Sequence, residues 1–222
     1  MSVRLDKRLS EILSNVRGDT LADIGCDHGK LAAAAVLSGK VKKALACDIS
    51  QKSLEKAKKL IDELGLREQI QCRAGDGLNA VSCGEADTVV IAGLGGDEIA
   101  KIICDAQMCG KRFLHYVLSP NTHAEKVRAA AVKQGFGIVR DYLVREGKKY
   151  YPVMVLSARE GKTRLSGDEI MFGSEFWKED SFKEWAREEI AKLSAMIADK
   201  NAARLIKRYE DLKRACEKCA LD

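Results

Sequence analysis

Thr20-Leu-Ala-Asp-Ile-Gly-Cys-Asp-His-Gly-Lys30 decides the fold. A short apolar run from Leu21 to Ile24 ends at Gly25, a polar turn follows, and Leu31-Ala-Ala-Ala-Ala-Val-Leu37 opens a helix. This is a strand, a tight loop and a helix N-terminus, the arrangement with which α/β proteins hold nucleotide-like ligands. A dinucleotide fingerprint starting at Gly25 requires glycine at 27 and 30, where this chain has Asp27 and Lys30. Acids at Asp23 and Asp27 repel a pyrophosphate and suit a ligand carrying cationic groups.

Working outward, Lys42-Lys-Ala-Leu-Ala-Cys-Asp48 reads as a second strand ending in an acid, at the distance where doubly wound folds bond a ribose diol. A third strand, Ile70-Gln-Cys-Arg-Ala-Gly75, runs into Asp76-Gly77, and an acid there can take an adenine amino group. Each aspartate alone is also a common helix cap or turn residue. Three at successive strand ends share the edge at which open α/β sheets bind ligands. S-adenosylmethionine-dependent methyltransferases carry acid-x-Gly-x-Gly-x-Gly at the first loop. Here Asp23, Gly25 and Gly29 remain, and Asp27 replaces the middle glycine. The cofactor's sulfonium and amino group account for the acids. The expected cofactor contacts are Asp23, Gly25, Asp27, His28, Asp48, Ile49, Asp76, Gly77 and Gly93.

The remaining elements alternate: helix 5–17 before the first strand, then helices 30–38 and 50–64, strand 87–92, helix 97–107, strand 113–118 and helix 122–135. This rhythm predicts a parallel sheet covered on both faces. Residues 137–144 and 150–156 are joined by a connection too short for a crossover helix, so they form a hairpin and one strand runs antiparallel. A seven-stranded, Rossmann-like class I methyltransferase sheet is the expected fold, with Pro152 near an end of its pairing. Residues 1–159 are expected to form that domain and residues 160–222 a helical, partly coiled-coil hairpin. One apolar stripe of this hairpin is Phe182, Ala186, Ile190, Leu193 and Ile197; the other is Leu205, Tyr209, Leu212, Cys216 and Cys219. The break between the helices is expected at 198–202. Residues 160–189 hold nine acids to five bases, and 199–218 hold seven bases to four acids, so the helices are expected to pair flank to flank.

The chain has 222 residues, 46% hydrophobic and 32% charged, which excludes extensive disorder. Its longest apolar run, Leu31 to Leu37, is far too short to span a membrane. Charges in the first nine residues argue against a secretory signal, so a cytoplasmic location is expected. Eight scattered cysteines read as free thiols. The pair Cys216 and Cys219 has metal-like spacing but lies on one helical face, and no metal site is expected. Residues 1–159 carry 25 Lys and Arg against 19 Asp and Glu, a modest field that suits a polyanion or simply solvates the surface.

The fourth strand opens into Ala92-Gly-Leu-Gly-Gly96, where methyltransferases acting on exocyclic base amines usually place an Asn/Asp-Pro-Pro-aromatic tetrad. The fifth ends in Ser119-Pro-Asn121, whose amide either reads a base edge or caps the following helix. The chain resembles the bacterial tRNA adenine-N1 methyltransferases that modify adenine 22 in the D-arm. The resemblance rests on Ala22-Asp-Ile-Gly-x-Asp-His28, Ile91-Ala-Gly-Leu-Gly-Gly96, Ser119-Pro-Asn121 and Tyr151-x-Val-Met-Val-Leu156. It spans the sheet domain, with Leu94 and Ser119 standing where Met and Gln are expected. It implies S-adenosylmethionine as cofactor, tRNA as partner, and attack by the N1 lone pair on an extruded adenine. Asp27, Asn121 and Tyr151 are then the candidates for gripping the base, while Tyr151 also reads as a core aromatic and His28 as a loop-orienting residue. A nicotinamide-dependent oxidoreductase shares the sheet but not Asp27 or the terminal hairpin. An RNA-binding protein with a vestigial pocket shares both.

Overall fold

The computed structural model describes residues 3–199 and 203–220. Seven strands form one sheet: β1 (Thr20–Ile24), β2 (Lys43–Asp48), β3 (Ile70–Ala74), β4 (Thr88–Ala92), β5 (His115–Ser119), β6 (Gly137–Glu146) and β7 (Lys149–Ser157). Their spatial order is β3-β2-β1-β4-β5-β7-β6. The first five strands are parallel, and β7 enters antiparallel between β5 and β6. Pro152 pairs with Leu143 on β6, but the β5 pairing of β7 begins only at Met154, so the missing donor costs no bond on that side.

Period-two alternation divides each central strand between two cores. Ala22, Ile24, Val89, Ile91, Tyr116 and Leu118 face one side, while Leu21, Val90 and Val117 face the other. The first side is covered by α4 (Gly96–Met108) and α5 (Ala124–Lys133), the second by α1 (Lys7–Ser14), α2 (Lys30–Leu37) and α3 (Gln51–Glu63). Burial on both faces explains why β4 and β5 are apolar almost throughout. Asp23 falls on the α2 side and is buried. Gly96 opens α4 against the β5–α5 loop: a Cβ there would lie 2.1 Å from the His123 carbonyl oxygen, so only glycine allows the approach.

After β7 come α6 (Gly167–Phe172), α7 (Asp180–Asp199) and α8 (Ala203–Ala220). The expected break at 198–202 falls partly on residues 200–202, which lie outside the described set. Both apolar stripes enter a third core, except the half-buried Ile197, which is not part of it. That core also takes Phe172, Phe176, Trp177 and Trp185, aromatics that no single helical period marks. Flank-to-flank pairing is partial. Arg208 meets Glu189 across the two helices at 2.9 Å, but Glu184 and Glu188 pair instead with Arg145 on β6, while Arg214 and Lys218 reach Asp168 on α6.

α6 is tied to the sheet through a buried ion pair. Arg128 on α5 binds Asp141 on β6 through Nε–Oδ2 at 2.7 Å and Nη2–Oδ1 at 3.1 Å. Its Nη1 donates to the carbonyls of Ile170 and Met171, each at 3.2 Å, and the Ser174 amide donates to Asp141. The last turn of α6 thereby supplies acceptors that the buried guanidinium requires.

Candidate functional site

The C-terminal ends of β1 to β4 surround a cleft of about 390 Å³. Gly25, Asp27, Asp48, Ile49, Asp76, Gly77 and Gly93 line it, joined by Leu94, Glu98 and Ile102. Asp27, Asp48, Asp76 and Glu98 face this space, and no Lys, Arg or His is among the lining residues. Such a wall favours a cation and disfavours a phosphate.

Local backbone chemistry sets each position. Asp27 has φ 47, the left-handed region in which glycine or a small polar residue is best tolerated, which explains why an acid occupies the place of the missing middle glycine. Its amide donates to Asp48 Oδ2 at 3.1 Å, and the Ser50 amide donates to Asp48 Oδ1 at 2.8 Å. These two bonds hold the Asp48 carboxylate at the cleft with lone pairs to spare. Asp76 precedes a short 3₁₀ turn without capping it, and its side chain is exposed. Gly93 (φ +85) has nothing within 4 Å of where a Cβ would stand, so the cleft runs directly along its backbone. Ile49 is 73% exposed, an apolar face left for a ring to cover.

Asp23 and His28 do not line the cleft. Asp23 is 5% exposed with Oδ2 lacking a hydrogen-bond partner, and burial pushes its carboxyl up to about 7. The Ala32 amide opposes this shift and the nearby Asp48 charge reinforces it. His28 places Nε2 3.4 Å from Asp27 Oδ2 and 3.5 Å from Lys56 Nζ, fitting it to orient the loop. The four acids and the open Gly93 backbone fit S-adenosylmethionine, whose sulfonium and ammonium are cationic and whose adenine ring is flat.

Asn121 and Tyr151 meet beside this cleft in a cluster organised by Arg8 on α1. Arg8 Nε donates to Ser119 Oγ at 2.9 Å, Nη1 to Asn121 Oδ1 at 2.8 Å, and Nη2 to the Ser119 carbonyl. Its guanidinium carbon lies 4.2 Å from the Tyr151 ring centroid. Asn121 Nδ2 donates to the Gly93 carbonyl at 2.5 Å, joining the cluster to the cofactor cleft. Asn121 does not cap α5, correcting one of the two sequence readings. His123 adopts a left-handed conformation (φ 53), which delays the helix to Ala124 and frees the amide for Gly93 and Arg8.

The match to a methyltransferase domain family covers residues 5–154. The Bacillus subtilis tRNA (adenine(22)-N(1))-methyltransferase is 34% identical over 174 residues, 77% of this chain and 72% of that protein. The chain belongs to this methyltransferase family. The crystal structure of the B. subtilis m1A22 tRNA methyltransferase TrmK superposes with TM-score 0.80 at 27% identity, covering 99% of this chain and 98% of that one. M. capricolum TrmK, solved with S-adenosyl-homocysteine, gives TM-score 0.79 at 28% identity over 97% and 96% of the two chains. Membership removes the nicotinamide oxidoreductase reading, in agreement with the acidic cleft. No helix among the described residues is long and apolar enough to cross a membrane.

Sequence reasoning missed Arg8 and the cleft residues Glu98, Leu94 and Ile102. Glu98 was visible as an acid opening the helix after Gly96. Arg8 carried no local signal, because all its hydrogen-bond partners lie more than 100 residues away.

Proposed function

We infer that this protein transfers a methyl group from S-adenosylmethionine to N1 of adenine 22 in tRNA. The observation that carries this is the acid-only cleft hydrogen-bonded, through Gly93 and Asn121, to a polar cluster able to receive a base. The cofactor supplies an electrophilic methyl on a positively charged sulfur.

Asp48 accepts from the ribose hydroxyls, Asp76 from the adenine amino group, and Ile49 packs on the adenine ring. Gly25, Gly77 and Gly93 let backbone approach the ligand, while Asp23 and Asp27 favour its cationic end and His28 steadies Asp27. Adenine N1 has an in-plane lone pair, so no side chain has to remove a proton before attack. The base becomes cationic as the bond forms, and Asp27 and the Asn121 carbonyl are the acceptors offered to that charge. Tyr151 stacks or grips the base, and Arg8 acts on it indirectly by fixing both Asn121 and Tyr151. Holding N1 in line with the methyl is mainly a problem of orientation.

In this reading residues 1–159 form the catalytic domain, residues 160–222 help to bind tRNA, and the enzyme works in the cytoplasm. The test is incubation of unmodified tRNA transcript with protein and labelled S-adenosylmethionine, followed by nucleoside mass spectrometry and mapping. N1-methyladenosine at position 22 is expected. A product co-eluting with N6-methyladenosine, or binding of S-adenosylhomocysteine without any transfer, refutes the reading.

A further inference from the structure

Between α7, α8 and the β5–α5 loop runs a second groove of about 640 Å³. Asn121 and His123 stand on one wall, Trp185 belongs to α7, and Arg204, Lys207 and Arg208 come from α8. We propose that this groove binds a nucleotide flanking the target adenosine, its base on Trp185 and its phosphate between Arg204 and Lys207. The proposal rests on the function inferred above and names where the rest of that substrate goes.

Charge complementarity is the first argument. The acids on the groove wall are already engaged: Glu125 hydrogen-bonds His123 at 3.2 Å, and Asp211 pairs with Arg214 at 2.9 Å. Among the cations, Arg128 is locked to Asp141 and Arg208 to Glu189. Arg204 and Lys207 are exposed and form no ion pair among the described residues. The uncommitted charge of the groove is therefore positive, opposite in sign to the cofactor cleft.

Trp185 supplies the second argument. One side of its ring leans on Phe182, with centroids 5.5 Å apart, and the half-buried remainder lines the groove. Aromatic faces beside backbone-tracking cations are how proteins hold unpaired nucleotides without reading their sequence. The third argument is continuity. Asn121 lines this groove while its amide donates to Gly93 in the cofactor cleft, so the groove starts where the extruded base has to be presented. Enzymes that extrude a base also contact the nucleotides flanking it, and this groove adjoins the position where those nucleotides lie.

The test uses the full chain and an unmodified tRNA transcript. Trp185→Ala should raise KM for tRNA roughly tenfold or more while kcat and S-adenosylmethionine affinity stay at wild-type values; Trp185→Phe should restore most of the loss. Arg204→Ala/Lys207→Ala, both exposed, should lower the slope of log affinity against log salt by about 0.7–0.9, the value for one phosphate contact and a change that loss of packing does not produce. A transcript abasic beside the target should bind wild type more weakly yet lose nothing further in Trp185→Ala. Wild-type KM and salt slope in both variants, with N1-methyladenosine still formed, overturn the groove assignment and leave the enzymatic reading standing. Absence of N1-methyladenosine from the wild-type protein overturns both. Competition by an acidic peptide, with a single-stranded RNA hexamer failing to compete, assigns the groove to a protein and also overturns the proposal.

Discussion

Replacing Arg8 tests whether the base-receiving cluster is organised from outside the cofactor loops. The side chain donates to Ser119 Oγ (2.9 Å), the Ser119 carbonyl and Asn121 Oδ1 (2.8 Å), and it lies over Tyr151 at 4.2 Å. Hydrogen bonds to a charged group are each worth about 1.5–3 kcal/mol, and cation–π contact about 0.5–2 kcal/mol. Arg8 is only half-buried, and these terms are not additive, so Arg8→Ala should cost about 2–3 kcal/mol of stability. The effect on turnover comes through position. Without Arg8 the Asn121 carbonyl and the Tyr151 ring lose their common partner, and a displacement near 1 Å lowers rates by roughly a hundredfold, about 2.7 kcal/mol in the barrier. Single-turnover methylation of tRNA at saturating cofactor should show that fall, with S-adenosylmethionine affinity unchanged because Arg8 does not line the cleft. Arg8→Lys keeps the charge but cannot span Ser119 and Asn121 as a fork, so an intermediate loss of roughly tenfold is expected. Arg8→Ala added to Asn121→Ala should cost clearly less than the sum of the two single losses, the remainder coming through Tyr151. Wild-type turnover in Arg8→Ala, or full additivity with Asn121→Ala, refutes the positioning role.

Asp48→Ala removes the proposed ribose acceptor and should weaken S-adenosylmethionine binding roughly tenfold or more by calorimetry; unchanged affinity takes Asp48 out of the site. Burial raises the Asp23 carboxyl from 3.8 to about 7, so between those values the folded protein keeps a proton that the unfolded chain has lost. Stability of the cofactor-free protein from this group therefore falls as pH rises through that window, by on the order of 4 kcal/mol at its upper end. Asp23→Asn should flatten the dependence in urea titrations between pH 4 and 8, and an unaltered slope contradicts it. Arg128→Met strands Asp141 and should cost about 3–5 kcal/mol, most of it regained in Arg128→Met/Asp141→Leu; a single variant as stable as wild type would show that the pair does not anchor α6.

Legibility followed the range of the interaction. The central strands β1, β4 and β5 were readable because both of their faces are buried, and Asp48 and Asp76 because an acid after an apolar run ends a strand. Elements whose reason lies elsewhere in the chain were not readable. α6 is six residues long; its start carries a local signal, the Ser166–Glu169 capping box, but its tie to the sheet is Arg128 donating to the Ile170 and Met171 carbonyls, which no local pattern encodes. Asn121 offered two readings because Ser-Pro-Asn suits both a cap and a binding loop; the left-handed His123 decided between them. The acidic flank of α7 pointed to α8 by composition, yet Glu184 and Glu188 serve Arg145, because β6 and β7 bring that arginine against the same face.

The opposed charges of the two cavities constrain how a substrate enters. Asp27, Asp48, Asp76 and Glu98 make the cofactor cleft hostile to phosphate, so an RNA backbone cannot follow its base inside. Arg204 and Lys207 lie beyond Asn121, on the far side of its bond to Gly93. On the proposed reading, the neutral base crosses that boundary while the phosphates on either side of it stay with the cations. Extrusion of the nucleotide then follows from electrostatics as well as from the burial of N1 in a pairing edge. The same acids favour the positive charge that the base acquires when methylated. Release of product therefore has to be driven by what lies outside the cleft: the recovered stacking of the RNA and the loss of phosphate contacts in the groove. Rising salt should accordingly speed product release before it abolishes binding, and a multiple-turnover rate that falls monotonically from the lowest salt would contradict this account.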